Sequence, residues 1–165
     1  MPTRNDLQPP ETGTGTTELA AHLSFLNYLR DRVIAKLDGV TDAQAHHPGT
    51  SSGTSLAWLI DHLAGVEYGW VVAGYAGVGP DDAEPAPLAP DATVDALIAR
   101  YRASIAEADA VIASAPDLTT PGKRSLRTTP PPSMRWILLH LIEETARHAG
   151  HADIIREHID GAVGR

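Results

Sequence analysis

Four side chains able to bind a metal ion or move a proton fall close together near the C-terminal end of this 165-residue chain: His140, Glu144, His148 and His151. They sit in the stretch MRWILLHLIEETARHAGHADIIREHIDG, whose spacing predicts one long helix. With about 100° of rotation per residue, all four lie within about 80° of one another. Ile137 and Ile155 fall on the same stripe, so the column is bracketed by apolar residues. Polar groups on an apolar face are costly to bury unless something satisfies them, and one metal ion would satisfy several. Residues four apart stand one turn above each other, so Glu144 and His148 can grip one ion; His148 and His151, three apart, can as well.

Neither pair completes a site, since a catalytic divalent ion takes about three protein ligands and keeps one position open. The third ligand has to come from another helix. His62, in TSLAWLIDHLAGVEYGW, sits at the edge of the stripe formed by Leu59, Leu63, Val66 and Trp70 and can point between helices. His22 holds the corresponding edge of the first helix, but no other polar group accompanies it. Each residue also has an ordinary reading. A histidine at a stripe edge can be a hydrogen-bonded packing residue, and Glu-x-x-x-His can be a solvated helix face. His46, His47 and His158 read as loop or surface histidines, and Arg147, Asp153, Arg156 and Glu157 as partners in exposed ion pairs.

Composition bears on the same question. There are eight histidines and no cysteine, which excludes disulfides, thiolate metal sites and a cysteine nucleophile. Any metal must be held by nitrogen and oxygen. Basic residues number 13 against 21 acidic, a formal charge of −8, and this argues against a nucleic-acid partner. No apolar run approaches the roughly 18 residues of a membrane span, and residues 1–18 lack the apolar core of a secretory signal. The expectation is a cytoplasmic protein.

Punctuation by Pro, Gly, Ser and Thr divides the chain into four long helical candidates. Residues 1–15 read as a disordered lead-in, and 16–165 as one domain. The first helix is expected from Thr16 or Thr17 to Gly39, with Leu19, Leu23, Leu26, Val33 and Leu37 inward. A polar segment, Thr41 to Gly53, precedes a second helix that starts at Thr54 or Ser55 and dissolves into Gly74–Gly79. An acidic, proline-rich connector over 80–90 leads to a third helix from about Thr93 to Ser114. The loop 115–133 is longer than an ordinary bundle connection, so it is either functional or a crossover. No strand-like alternation occurs, and the fold class is all-α: a four-helix bundle with a long crossover connection.

The runs HLIEETARHAGHADIIREHIDG and TSLAWLIDHLAGVEYGW resemble the DinB-like superfamily, nearest its actinobacterial branch beside the mycothiol-dependent maleylpyruvate isomerase-type enzymes. The resemblance spans about Thr16 to Gly161. It implies a bundle that holds a divalent metal, Zn²⁺ or Ni²⁺ first, at a site of three histidines or two histidines and a glutamate. Carried over, the second-helix ligand is His62 and the last-helix ligand His148. The position one turn before His148 is histidine in many members and Glu144 here. His151 falls where others often carry glutamine, so the third ligand stays open between Glu144 and His151.

Characterised members use a low-molecular-weight thiol such as mycothiol. The resemblance therefore implies a metal-dependent thiol S-transferase or isomerase acting on an electrophilic small molecule, and a chain that borrows its thiol needs no cysteine. Lys123, Arg124 and Arg127 in the long loop could bind an anionic group or merely solvate it, while Trp58, Tyr68, Trp70 and the loop shape the pocket. A non-catalytic, stress-associated metal-binding bundle and a metal-dependent hydrolase are the alternatives, and a homodimer is compatible with a bundle of this size.

Overall fold

The structure is a computed structural model that describes residue 10 and residues 17–79, 88–127 and 129–163. The expected lead-in over 1–15 and most of the connector over 80–90 lie outside the described residues. Among the described residues there are five α-helices: α1 (Glu18–Ala35), α2 (Asp42–His46), α3 (Leu56–Glu67), α4 (Val94–Ser114) and α5 (Met134–Asp160). Each long helix starts on a hydroxyl that accepts a backbone N–H three residues on: Thr17 from Ala20, Ser55 from Trp58, Thr93 from Ala96 and Ser133 from Trp136. Gly161 ends α5 with φ of 74°, a left-handed conformation that glycine adopts without strain.

Three local features depart from the sequence reading. The segment Thr41–Gly53 contains a one-turn helix, α2, closed by a capping box between Thr41 and Gln44. The second helix leaves α geometry at Glu67 and continues over Tyr68–Tyr75 as a π-helix. Gly69 and Gly74 stand five apart there, the span of one π turn, and a Cβ on Gly74 would lie 3.1 Å from the Gly69 carbonyl oxygen. The first helix also stops at Ala35, four residues short of Gly39.

Charge pairs fix the directions of the helices. Glu18 with Arg135, and Lys36 with Asp153, join α1 and α5 start to start and end to end. Asp61 with Arg100 sets α3 alongside α4, and Arg30 ties α1 to Glu67 and Asp109. The order is therefore up, down, down, up, and the long crossover is the α3–α4 connection. Its two ends lie at opposite ends of the bundle: Tyr75 accepts from Lys123 N–H beside the α4–α5 loop, and Val94 N–H donates to Asp42.

The loop 115–133 is thus no crossover. Its ends meet at one end of the bundle, where Pro121 bridges Ser133 and Arg135 N–H reaches Leu118. Asp117 accepts from the Thr119 hydroxyl at 2.7 Å and from the Thr119 and Thr120 backbone N–H groups at 2.6 and 2.7 Å, and these bonds lower its carboxyl to about 2.

The core is aliphatic, in two clusters. One gathers Val33, Leu37, Leu56, Leu59, Ile60, Leu63, Leu97 and Ile155, and the other Leu26, Val71, Ile112, Met134, Ile137, Leu138 and Leu141. Arg30 and Glu67 are both buried within the bundle, joined by bonds of 2.6 and 2.7 Å, and Arg30 also reaches Asn27 and Asp109. Burial opposes the Arg30 charge, but the bonds and charge of Glu67 and Asp109 outweigh it and raise its pKa.

Candidate metal centre

α3 and its π extension run antiparallel to α5, and between them the chain assembles its polar residues. His62 from α3 and Glu144 and His148 from α5 each offer a nitrogen or oxygen atom, all within 4.8 Å of one another. His148 Nε2 lies 3.5 Å from Glu144 Oε2, and the rings of His62 and His148 meet edge to face at 4.9 Å. His148 is buried, while His62 and Glu144 are half-buried. Burial, and then the neighbouring imidazole of His62, hold His148 below the ordinary histidine pKa, which favours the neutral, metal-binding form. Glu144 also pairs with Arg147, whose guanidinium reaches Glu143 at 3.0 Å.

His151 stands outside this group. It is exposed, and its Nδ1 lies 3.2 Å from His148 Nδ1, on the side of the ring away from Glu144. The buried face of α5 explains why. Leu141, Thr145, His148, Ala152 and Ile155 centre about 40° further round than the Ile137–Ile155 axis, so His151 is carried out to solvent. A hydrogen bond between the two Nδ1 atoms leaves His148 Nε2 facing His62 and Glu144.

The other histidines scatter. His140 is half-buried between Trp70 and Trp136, with ring centroids at 4.8 and 5.1 Å, and burial pushes its pKa down. His46 Nε2 bonds the Ala92 carbonyl at 2.8 Å and so has a structural role. His47 and His158 are exposed, and His22 is half-buried with no partner for Nδ1 among the described residues.

Two features of the site were not evident as such from sequence. Trp58 lies flat against His62, with centroids 5.0 Å apart and planes 3° from parallel, although half of the indole is exposed. The buried Arg30–Glu67 pair anchors the point where α3 passes into the π-helix. Its signal was present: Glu67 is four after Leu63, and Arg30 four after Leu26, both on apolar stripes. A cavity of about 710 Å³ lined by Asp31, Asp42, Asp95, Arg102 and Arg156 among others shares no residue with the His62 group.

The helices, their order and a His/Glu group between antiparallel partners define an all-α bundle with a metal-compatible centre. The chain belongs to the mycothiol-S-transferase family, within the DinB-like proteins, and the family model matches residues 21–161. No curated protein sequence matches it. Among solved structures, a conserved protein from Enterococcus faecalis superposes with a TM-score of 0.68 at 19% identity, over 90% of this chain and 100% of that one. That likeness concerns the fold. No helix among the described residues is long and apolar enough to cross a membrane.

Proposed function

We propose that this chain is a divalent-metal-dependent S-transferase that uses mycothiol, or a thiol of that kind, as co-substrate, with His62, Glu144 and His148 as the metal ligands. The observation that carries the reading is the convergence of those three donors in a member of a mycothiol-S-transferase family that has no cysteine of its own. The donors suit the group. Two imidazoles and a carboxylate are the N/O set of catalytic zinc-type sites, where ligand distances are about 2.0–2.2 Å. Three donors already within 4.8 Å need only small side-chain movements to close on one ion. When bound, such an ion supplies a Lewis acid that stabilises the deprotonated sulfur of a thiol at neutral pH.

The chain's own residues do the positioning. Trp58 stacks on His62 and restricts the turning of its ring. His151 holds His148 by Nδ1 and so directs Nε2 inward. Glu144 contributes the one negative charge of the set, which suits a divalent cation, and Arg147 balances that charge when no ion is present.

The experiment has two arms. Purified wild type carries close to one equivalent of a divalent metal, and His62→Ala and His148→Ala lose it. Variants that retain as much metal as wild type sink the ligand assignment. Conjugation of an electrophile is then compared with mycothiol, bacillithiol, glutathione and no thiol; a rate indifferent to all three thiols sinks the transferase reading.

A further inference from the structure

One turn before Glu144 on α5, and across on the π-helix, the structure builds a second group that the metal reading does not use. Trp70, Trp136 and His140 pack mutually, with centroid separations of 4.8 to 5.2 Å. The Arg127 guanidinium carbon lies over both indoles, at 5.3 and 5.7 Å from their centroids. Trp136 is 41% exposed, so apolar indole surface lies open beside an exposed cation. Arg30, Arg135, Arg147 and Arg156 all pair with carboxylates, whereas among the described residues Arg127 forms no ion pair. The loop that carries it is fixed in place: Gly122 N–H bonds Pro132, Lys123 N–H bonds Tyr75 and Arg124 N–H bonds Gly74 on the π-helix.

We propose that Arg127, Trp70, Trp136 and His140 form the subsite for the electrophilic acceptor, and that the acceptor it takes is a planar, conjugated carboxylate. A guanidinium offers a planar fork of donors that matches a carboxylate, and an indole face favours a flat π-system over a saturated one. A cationic ligand, which an aromatic cluster alone could hold, is repelled by Arg127. The assignment to the acceptor rests on the reading of His62, Glu144 and His148 as the place where the thiol is held, because that places the subsite one helical turn from the sulfur.

The test titrates benzoate, with methyl benzoate and cyclohexanecarboxylate as controls, into chelator-treated and zinc-loaded protein. The readout is the NMR signals of the three indole N–H groups. The Trp70 and Trp136 signals shift with benzoate, and Trp58 does not. Arg127→Gln weakens benzoate about tenfold, the factor that corresponds to about 1.4 kcal/mol, and binds acid and ester alike. Arg127→Lys recovers part of the loss. Equal benzoate affinity in wild type and Arg127→Gln, or a shift confined to Trp58, overturns the subsite. Because binding is read without metal, it is separable from the metal assignment: His62→Ala can keep its metal and refute that reading while benzoate still binds through Arg127. In conjugation assays benzoate competes with the electrophile; competition with the thiol instead overturns the assignment to the acceptor.

Discussion

The third ligand can be decided by comparing Glu144→Ala with His151→Ala. His148 presents Nε2 to Glu144 at 3.5 Å and Nδ1 to His151 at 3.2 Å. The two nitrogens leave opposite sides of the ring, so Glu144 and His151 cannot both converge with His148 on one ion in this conformation. On the proposed site Glu144 is a ligand and His151 the group that orients one. A four-ligand zinc site is worth about 10–16 kcal/mol, or roughly 3–4 kcal/mol for each ligand, so Glu144→Ala weakens binding about 100- to 1000-fold. Loss of an orienting partner costs about 10- to 100-fold. The assay is zinc affinity by competition with a chromophoric chelator at pH 7.5, with circular dichroism as the check that both variants stay folded. A His151→Ala protein weaker than Glu144→Ala, or a Glu144→Ala protein within about threefold of wild type, refutes this division of roles.

The buried Arg30–Glu67 pair carries a stability prediction: Arg30→Met leaves a carboxylate in the core and costs about 3–5 kcal/mol, which lowers the thermal midpoint by about 6–20 °C at about 2–4 °C per kcal/mol. Arg30→Met/Glu67→Leu recovers most of that, whereas additive losses in the double variant contradict the pairing. A pH effect follows from His148, whose folded pKa lies below the ordinary value of 6.5. As pH falls below 6.5 the unfolded chain takes up its proton first, so metal-free wild type loses stability down to the folded pKa. His148→Gln loses less between pH 7.5 and 5 in urea titrations, and equal losses in both proteins count against a depressed pKa. Gly122→Ala tests the docking of the long loop, because a Cβ there would lie 2.8 Å from Tyr75 Cα, a backbone atom that cannot step aside. Thermal melts show a loss of about 1–3 kcal/mol, and an unchanged melt means the loop is not held against the π-helix.

Helix number and the inward stripes were legible because they rest on periodicity, which single-residue errors do not erase. Leu26, Val33, Leu37, Leu59 and Leu63 are all buried as their spacing predicts. What periodicity could not provide was winding and connectivity. An α-helix and a π-helix share the same apolar run over 68–75, and only the five-residue spacing of Gly69 and Gly74 hints at the change. The crossover fell in the shorter-looking, acidic connector instead of the 115–133 loop, because direction depends on which charges pair across helices. For the candidate site, the wheel placed His140, Glu144, His148 and His151 on one face, yet the true buried centre lies to one side of them. That offset of about 40° takes His148 inward and His151 out.

The register between α3 and α5 links the metal-compatible group to the aromatic one. His62 meets His148, and eight residues further along the π extension Trp70 meets His140, eight residues earlier on α5. The antiparallel register therefore survives the change of winding. The Arg30–Glu67 pair sits at the junction between the two windings. From His140 to Glu144 is four residues of α5, about 6 Å along the axis. On the proposed acceptor subsite, a ligand whose carboxylate meets Arg127 has about one helical turn to span before the His62–Glu144–His148 group. On that reading the spacing of Trp136, His140 and Glu144 on one helix limits the acceptor's length, and Arg127 selects its charge.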